Sequence, residues 1–569
     1  MTRFAIDPVT RVGGHMRVEV DLAEGLVQDA WCSGTMFRGV ERILEGRDAR
    51  DAWLFAQRIC GSCGSAHAAA SVRAVEQALA VAIPANARRI RNLLLGSRFV
   101  ANHIVHFYQR QVLDWVDVPS ALQADVAATA ALARSSSDWP SSTPAHFSGV
   151  KEQLRQLGAS GRLGLLAQGG SSHPSNRLPP AANLLILAHY LEALDSQRSV
   201  QRIGTLLGGK GPHPQTFLVG GMALAPEWTG PRRPMGEHPW GTGRKTPAAL
   251  SREGLAEIGA LIEHATAFLD GVFLPDALLI ASHYPDWVGV GAGIGNYLSF
   301  GAFPEDDFAE PSLLLPAGRV MDGDPSVAFE VDQSGVAETV AHAYYTDATG
   351  DDNALRQPWA GGTVPRYAGP PPPVATLEGS NKYSWLKAPR YFDDPMEVGP
   401  LARMLVAYAS GANDVRTVVD DACAKLGTTP DILSGTLGRT IARAIEARVI
   451  VARMPAWLAD LEANLAGDLA LVDISRWEPG SWPANAQGWA TVESPTGVVG
   501  HWVTLRGHRV ERYQVVDATT WNASPRDNRG RRGAIEQALV GTAVADREHP
   551  LEILRVIHAF DPCLNCGVH

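Results

Sequence analysis

The sequence predicts a mainly α-helical protein with small β elements, an α+β chain built around a central bundle of long helices. Apolar residues recur every three and four positions over long stretches, whereas alternating apolar and polar residues are confined to segments near both ends. The chain has 569 residues, which is enough for more than one core or layer. Six cysteines in such a length do not make a disulfide framework.

The elements follow in order along the chain. Residues 16–31 alternate in polarity and contain a Glu-Gly turn, which predicts a β-hairpin. A helix is predicted from Ala66 until Pro84 interrupts it, and a longer one from about residue 86 to 113. Further amphipathic helices are predicted over 180–206, 248–272, 397–425 and 430–465. Short β runs over 488–504 and 512–516 then precede a helix near 533–540.

We predict a single domain over residues 1–569. Its three parts are an N-terminal hairpin with a first metal motif, a helical body, and a C-terminal part with a second metal motif, over 1–65, 66–465 and 466–569. Two stretches rich in Gly and Pro, 207–247 and 347–375, are expected to be loop excursions from the helical body.

Charge and hydropathy exclude several classes of protein. The net charge is −10, charged residues make up 19%, and the basic residues are scattered, so no nucleic-acid partner is expected. No run reaches the roughly 18 consecutive apolar residues that a membrane span needs. The first residues lack the apolar core of a signal peptide, so the chain itself is expected to be soluble and to carry no targeting signal.

Two Cys-x-x-Cys pairs carry the chemistry of the sequence. Cys60 and Cys63 lie near one end and Cys563 and Cys566 near the other, and such pairs can place four thiolates on one soft metal ion. The fold would then close a very large loop around a central, buried site. Structural zinc needs the same four sulfurs, and reversible dithiol chemistry is a further alternative, although no thioredoxin-like βαβ pattern surrounds the first pair.

The flanks of both pairs carry a family resemblance. The first pair stands in Arg-Ile-Cys-Gly-Ser-Cys-Gly-Ser-Ala-His over 58–67, and the second in Asp-Pro-Cys-Leu-Asn-Cys-Gly-Val-His over 561–569. With these flanks the sequence resembles, from end to end, the large catalytic subunit of a nickel-iron hydrogenase of the respiratory uptake type, and the fold of that subunit is expected. Further matching segments are 7–11, 37–41, 106–108, 382–390, 396–403 and 519–527.

The resemblance implies a nickel-iron centre. Nickel would be held by all four thiolates, with Cys63 and Cys566 bridging to an iron that carries cyanide and carbon monoxide ligands. Cys60 and Cys563 would be terminal on nickel, and Cys563 is the nearest base for the proton released from hydrogen. His67 lies four residues beyond Cys63, so at the start of a helix its imidazole could turn back and tune a thiolate.

Other residues match positions around that centre in the family. Glu41 and His569 match ligands of a magnesium or similar ion near the C-terminus, and relatives mature by removal of a tail just after this histidine. Pro495 and Thr519 match positions that line the diatomic ligands of iron. Asp561, in the second motif, is expected beside the centre.

Three positions depart from the family pattern. Gly13 stands where most relatives carry a glutamate that relays protons, Thr496 where they carry an arginine above the metals, and Asn102 where many respiratory relatives have aspartate. Either protons leave by another path, or turnover is slow and the protein oxidises hydrogen slowly or senses it. The side chains considered for another path are Glu19, Glu41 and His15.

The electrons need an exit through another polypeptide. Cys32 and Cys423 are isolated, so no iron-sulfur cluster can be built in this chain once the four motif cysteines are used. The resemblance implies an obligate heterodimer with an iron-sulfur small subunit, possible as a dimer of heterodimers, and a membrane cytochrome or other acceptor beyond it. The predicted function is oxidation of H2 to two protons and two electrons; the alternative is a low-turnover, H2-sensing subunit.

Location is expected from the family, not from this chain's own residues. Export would rely on a signal borne by the small subunit, which would place the enzyme on the periplasmic side of the membrane. A cytoplasmic location is the alternative.

Overall fold

The computed structural model describes residues 2–167, 172–227, 248–306, 312–362, 364–367, 377 and 381–567. Helices dominate and the sheets are small, which confirms the predicted α+β class. The α-helices are α1 Val40–Leu44, α2 Ala52–Ala56, α3 Gly64–Leu79, α4 Ala85–Val105, α5 Val118–Ala121, α6 Val126–Ser136, α7 Pro144–Ala159, α8 Pro180–Gly208, α9 Arg252–Phe268, α10 Leu274–His283, α11 Pro400–Ala409, α12 Asn413–Leu426, α13 Thr436–Leu465, α14 Ala518–Asn522, α15 Ala534–Leu539, α16 Leu551–Ala559 and α17 Leu564–Gly567.

The strands form two- and three-stranded sheets with mainly antiparallel pairing. They are β1 Thr2–Ile6, β2 Met16–Ala23, β3 Leu26–Gly34, β4 Phe217–Leu218, β5 Gly221–Met222, β6 Tyr297–Pro304, β7 Leu313–Val320, β8 Val336–Thr339, β9 Tyr345–Thr346, β10 Val364–Pro365, β11 Ala388–Tyr391, β12 Glu397–Val398, β13 Asn485–Ser494, β14 Gly497–Arg506 and β15 Arg509–Val516. The orders in the three-stranded sheets are β1-β2-β3, β12-β6-β7 and β13-β14-β15.

Four long helices make the centre of the molecule. α4 packs against both α8 and α13, and α9 packs against α8 and α13, so their apolar faces share one large core. α8 starts with Pro180, whose missing N–H is tolerated in the first turn, and ends at Gly209 with a φ of 75°. These helices therefore form the scaffold on which both ends of the chain meet.

The C-terminal sheet lies directly on α3. β13 and β14 both contact this helix, and Gly488 in β13 allows the closest approach. A Cβ at Gly488 would lie 2.0 Å from the Ala74 carbonyl oxygen and 2.6 Å from the Ala78 amide nitrogen. The sheet thus holds α3, and with it the first cysteine motif, at a fixed distance from the last part of the chain.

Some predicted elements differ in detail. The helix predicted over 397–425 is two helices, α11 and α12, because Gly411 adopts a φ of 81° between them. The helix predicted to Leu113 leaves α-helical geometry at Val105 and continues as a π-helical turn, His106–Gln111. The strands between β6 and β12 were not predicted. Of the two predicted loop excursions, 228–247, 363 and 368–375 lie outside the described residues.

One helical stretch among the described residues, Arg252–His283, is long and apolar enough to cross a membrane by length and composition alone. In its most apolar window of 18 residues, 56% of the residues are buried inside the structure, and its first helix, α9, packs on α8 and α13. A core helix passes the same test, so this stretch is weak evidence for a membrane span.

Candidate metal centre

The four motif cysteines meet in the interior. Their sulfur atoms all lie within 4.8 Å of one another, and all four residues are buried. The sulfurs of Cys60 and Cys563, which are 503 positions apart in the sequence, are separated by 3.4 Å. The fold therefore joins the two ends of the chain at one compact set of soft donors.

Local backbone geometry presents the first pair. Cys60 follows a short 3₁₀ turn, and its sulfur accepts hydrogen bonds from the amides of Ser62 at 3.2 Å and Cys63 at 3.1 Å. Cys63 is the N-cap of α3, so its own sulfur lies at the helix start, where the partial positive charge of the helix favours a thiolate.

The second pair is fixed by the N-terminal segment and by α14. Gly13 and Cys563 form a parallel β-bridge, and the Leu564 amide donates to the Gly13 carbonyl at 2.6 Å. The Thr519 hydroxyl accepts from the Cys563 amide at 3.1 Å and donates to the Cys563 carbonyl at 2.9 Å. Since a hydroxyl has one proton to donate, Thr519 is engaged with the Cys563 backbone in this structure.

Arg38 ties the two motifs together. One terminal nitrogen of its guanidinium donates to the carbonyl of Ile59, just before the first pair, and to the carbonyl of Asn565, inside the second pair. One side chain thus spans both loops that carry the sulfurs.

The thiols of Cys60, Cys63 and Cys566 have shifted pKa values of opposite direction. The hydrogen bond with Cys563 holds the pKa of Cys60 well below its usual value, whereas the hydrogen bonds within the group, together with burial, raise the pKa of Cys63 and of Cys566. A soft divalent metal would replace the protons of such a buried group. The donor set, four buried thiols within reach of one ion, fits nickel.

His67 is joined to a buried chain of polar groups that leads into the C-terminal sheet. It lies in the first turn of α3, and its Nδ1 is 3.0 Å from Nε2 of His501. Nδ1 of His501 is 2.7 Å from the Tyr513 hydroxyl, which donates to Ser71 at 2.8 Å. This buried chain of polar groups ties α3 to β14 and β15, and it is the environment that sets the tautomer of His67.

Thr496 and Pro495 lie over the sulfurs from the β13–β14 turn. The Thr496 hydroxyl is 3.7 Å from the Cys63 sulfur and 3.1 Å from the Ser494 hydroxyl. The Pro495 carbonyl accepts from Arg403 at 3.3 Å. This side of the site therefore presents a neutral hydroxyl to the cluster.

Behind that turn lies a buried charged network. Arg403 binds Glu493 at 2.7 Å and Glu446 at 2.8 Å, and Nε2 of His103 is 2.7 Å from Glu446. Burial lowers the pKa of His103 to about 4, and Arg403 overcomes the burial of Glu446 to lower its pKa to about 2. At neutral pH His103 is neutral and Glu446 ionised, so Arg403 is opposed by carboxylate charge on two sides.

Asp561 stands next to the second cysteine pair and is surrounded by cationic side chains. It adopts a φ of 53° two residues before Cys563, and Oδ1 accepts from Arg110 at 2.6 Å. Arg443 lies 3.6 Å and His106 3.9 Å from its carboxylate. Burial raises the pKa of Asp561, but the neighbouring His106, Arg110 and Arg443 outweigh it and hold the pKa below its usual value.

Asn102 lies on α4 beside the first motif. It is 7% exposed, and its Oδ1 has no hydrogen-bond partner among the described residues. It faces a cavity that Arg98 and Arg110 also line.

The candidate magnesium site is partly described. Glu41 is buried, accepts a hydrogen bond from the Val515 amide at 2.8 Å, and lies 3.7 Å from the Lys387 ammonium. His569 lies outside the described residues. Of the two side chains named with Glu41 for a proton path, Glu19 is buried and accepts from the Leu377 amide at 2.9 Å, and His15 contacts Thr35 at 2.6 Å.

Sequence reasoning missed the cations of the site. Arg98, Arg110 and Arg443 lie near the cysteines or Asp561, yet no motif marks them. Arg110 is 451 positions from its partner Asp561. A basic residue inside the otherwise apolar end of α4 was the available signal.

Comparison with known proteins decides the family. The family model described as nickel-dependent hydrogenase matches residues 38–569. The chain belongs to the nickel-dependent hydrogenase family. The uptake hydrogenase large subunit of Bradyrhizobium diazoefficiens is 42% identical to this hydrogenase chain over 581 residues, which cover 100% of the chain and 95% of that protein.

Further relatives agree. The Hydrogenase-1 large chain of Escherichia coli strain K12 is 42% identical over 585 residues, again with 100% of this chain and 95% of that protein covered. The solved structure of the reduced Ni-Fe-Se hydrogenase from D. vulgaris Hildenborough is 30% identical, with a TM-score of 0.75 and 100% of both chains covered. The predicted family and large-subunit fold are confirmed. This chain is thus the large subunit of a nickel-dependent hydrogenase and is similar to large subunits of the uptake type.

Proposed function

We propose that this chain is the catalytic subunit of an uptake hydrogenase that oxidises H2 to two protons and two electrons. The observation that carries the proposal is the meeting of four buried sulfurs, from motifs at both ends of a chain of this family, within 4.8 Å of one another. Among the relatives above, two are named as an uptake hydrogenase and a Hydrogenase-1 large subunit, which favours turnover over a sensing role.

Each cysteine has a proposed role. Cys60 and Cys563 would hold nickel alone, and Cys63 and Cys566 would hold nickel together with an iron that carries cyanide and carbon monoxide. When bound, this group supplies the site at which H2 is polarised and split. The protein buries the site, and Cys563 is the base that takes the first proton.

The surrounding side chains position these groups. Thr519 holds the Cys563 backbone on both its amide and its carbonyl, which fixes the direction of the sulfur. His67, held by His501, keeps the first turn of α3 against the sheet. Pro495 and Thr519 line the place of the iron ligands, and Glu41 with His569 holds a magnesium or similar ion that pins the last segment.

The electrons leave through an iron-sulfur small subunit to a membrane cytochrome or another respiratory acceptor. This route rests on family membership and on the burial of the cysteine cluster, which needs a nearby electron carrier. We propose a location on the periplasmic side of the membrane, with the cytoplasm as the alternative; fractionation of cells that produce the tagged complex tests it.

The experiment compares the wild type with Cys566→Ser, each produced with the small subunit. We expect the wild-type complex to contain nickel and iron, to show infrared bands of cyanide and carbon monoxide, and to reduce a dye with H2. Cys566→Ser should lose nickel and all H2-dependent dye reduction. Zinc in place of nickel in the wild type, or full activity of Cys566→Ser, would contradict the proposal.

A further inference from the structure

A cavity of about 410 Å³ opens beside the first cysteine motif. Its wall includes Ser62 from the motif loop, Asn102 from α4, and three cationic side chains, Arg98, Arg110 and Lys210. No carboxylate is among the residues that line it in the described part of the chain. A wall of this composition favours negative charge nearby.

Arg110 comes close to the centre from the π-helical turn that follows α4. Its guanidinium donates to Asp561 at 2.6 Å, two residues before Cys563. Attraction to Asp561, and further to Cys563 and Cys63, raises the pKa of Arg110 in spite of burial. π-helical turns are rare and often lie at functional sites because they displace one side chain from the regular helix face.

Arg98 approaches the same sulfurs one loop away. It donates to the Ser62 carbonyl, between the two cysteines of the first pair, at 3.1 Å. Cys63 and Cys60 attract its charge, although burial dominates and lowers its pKa. The guanidinium stays charged, because an arginine pKa remains far above neutral pH.

The charge around the cluster is therefore uneven. On the α4 side, Arg98 lies at the first motif and Arg110 pairs with the carboxylate of Asp561. Arg443 of α13 lies 3.6 Å from Asp561 and is also attracted by Glu446. At the β13–β14 turn Thr496 is neutral. The guanidinium nearest to it, Arg403, is already opposed by the carboxylates of Glu446 and Glu493.

A nickel-iron centre with thiolate and cyanide ligands carries negative charge, and burying it without compensation is costly. We propose that Arg110, assisted by Arg98, is an electrostatic positioning residue that balances the negative charge of the metal centre from the α4 side, since the chain has no cation at position 496. This inference rests on the proposed function. Arg110 lies outside both cysteine motifs, and its charge sets the electron density and redox balance of the centre.

The test replaces Arg110 in the complete complex with its small subunit. Arg110→Lys keeps the charge, whereas Arg110→Gln keeps a hydrogen-bond donor for Asp561 but loses the charge. The readouts are the infrared bands of cyanide and carbon monoxide and the midpoint potential of the nickel signal. Arg198→Leu is the control, because Arg198 lies exposed on α8 in a pair with Asp195.

Loss of a positive charge increases electron density at the metals and disfavours the reduced state. Arg110→Gln should shift the bands to lower wavenumber and the redox equilibrium by about tenfold toward the oxidised form, or about 59 mV for one electron. Arg110→Lys and the control should retain wild-type bands. The double variant Arg110→Gln with Thr496→Arg should recover much of the shift, because it restores a cation near Cys63.

Two outcomes overturn the inference. Unchanged bands and potential in a metal-loaded Arg110→Gln complex would show that the charge is unimportant, and an Arg110→Lys complex that behaves like Arg110→Gln would show that geometry alone matters. If Arg110→Gln takes up no metal, the Lys variant decides, because it must load metal and keep wild-type bands. A wild type without nickel or without these bands would instead overturn the proposed function.

Discussion

At the scale of single residues, Gly13 shows how tightly the N-terminal segment packs on the cluster. A Cβ built on Gly13 would lie 2.9 Å from the Cys563 sulfur and 3.6 Å from its Cβ. The close packing on Cys563 therefore favours glycine at this position. Placing glutamate there would move Cys563 before it could restore a proton relay.

Gly13→Ala should accordingly weaken metal binding. Overpacking by one methyl group costs about 1–3 kcal/mol, which corresponds to about a tenfold or larger loss of metal affinity if the strain falls on Cys563. The measurement is nickel per chain together with H2-dependent dye reduction. Gly149→Ala is the matched control, since no atom lies within 4 Å of its added Cβ. Full nickel content in Gly13→Ala would contradict the steric reading.

Sequence reasoning located the four sulfurs because each pair is local in the chain. It could not locate the partners of Asp561, because the contact with Arg110 exists only after α4 packs beside the last segment. The Thr519 hydroxyl was likewise expected to line the diatomic ligands of iron, whereas in the structure it donates to the Cys563 carbonyl. Spacing in the sequence predicts which residues share a site. The hydrogen-bond partner that each of them takes depends on how the chain folds.

At the scale of elements, the contact between α3 and β13 controls the position of the first motif. Gly488→Ala would force the strand away from the helix, because its Cβ would overlap the Ala74 carbonyl. We expect a loss of about 1–3 kcal/mol in the free energy of unfolding and a lower nickel content, since α3 begins immediately after Cys63. Thermal unfolding and metal analysis measure both effects.

Gly480→Ala is the control for that variant, because its added Cβ meets no atom within 4 Å. A Gly488→Ala protein with wild-type stability and nickel content would show that the sheet can shift without moving α3.

A second prediction concerns the contact of α15 with β3. Glu536 of α15 is buried and accepts from the Cys32 amide and the Tyr383 hydroxyl, both at 2.9 Å. Burial raises the pKa of Glu536 from its usual 4.5 to about 7. The folded protein thus binds this proton more tightly than the unfolded chain does, so its stabilising effect is complete below pH 4.5 and is lost as the pH rises through 7.

Glu536→Gln mimics the protonated form and should remove this dependence. The free energy of unfolding of the variant relative to the wild type should rise by about 3 kcal/mol between pH 4.5 and pH 8. Urea denaturation at a series of pH values measures the difference, and the exposed Glu548→Gln serves as the control. A constant difference across this range would show that Glu536 is ionised in the folded protein.

Elements were predictable where periodicity is strong. The long helices α8 and α13 and the hairpin of β2 and β3 follow the pattern. The polar residues in the first part of β2 are buried as well, because Arg17 and Glu19 pair with each other at 3.0 Å and Glu19 accepts from the Leu377 amide. The short central strands, such as β8 and β12, have too few residues to show a period.

At the scale of the whole molecule, contacts between protein groups join the two ends of the chain. The β-bridge of Gly13 with Cys563, the clasp of Thr519 and the two-loop contact of Arg38 are all protein contacts. The two Cys-x-x-Cys pairs predicted the meeting of the ends but left zinc, dithiol chemistry and nickel open, and the family resemblance of their flanks selected nickel. The contacts that preorganise the sulfurs could not be predicted from the sequence and are seen only in the structure.

Preorganisation has a measurable consequence for the metal-free chain. Because protein contacts already place the sulfurs, nickel-free wild type and Cys566→Ser should both keep the helical circular dichroism of the folded protein. Both should unfold at the same temperature, about 5 °C or more below the nickel-loaded protein, because bound metal adds its binding free energy to folding. Calorimetry and circular dichroism of the three samples measure this. A nickel-free wild type without helical signal would mean that the metal, and not the chain, assembles the site.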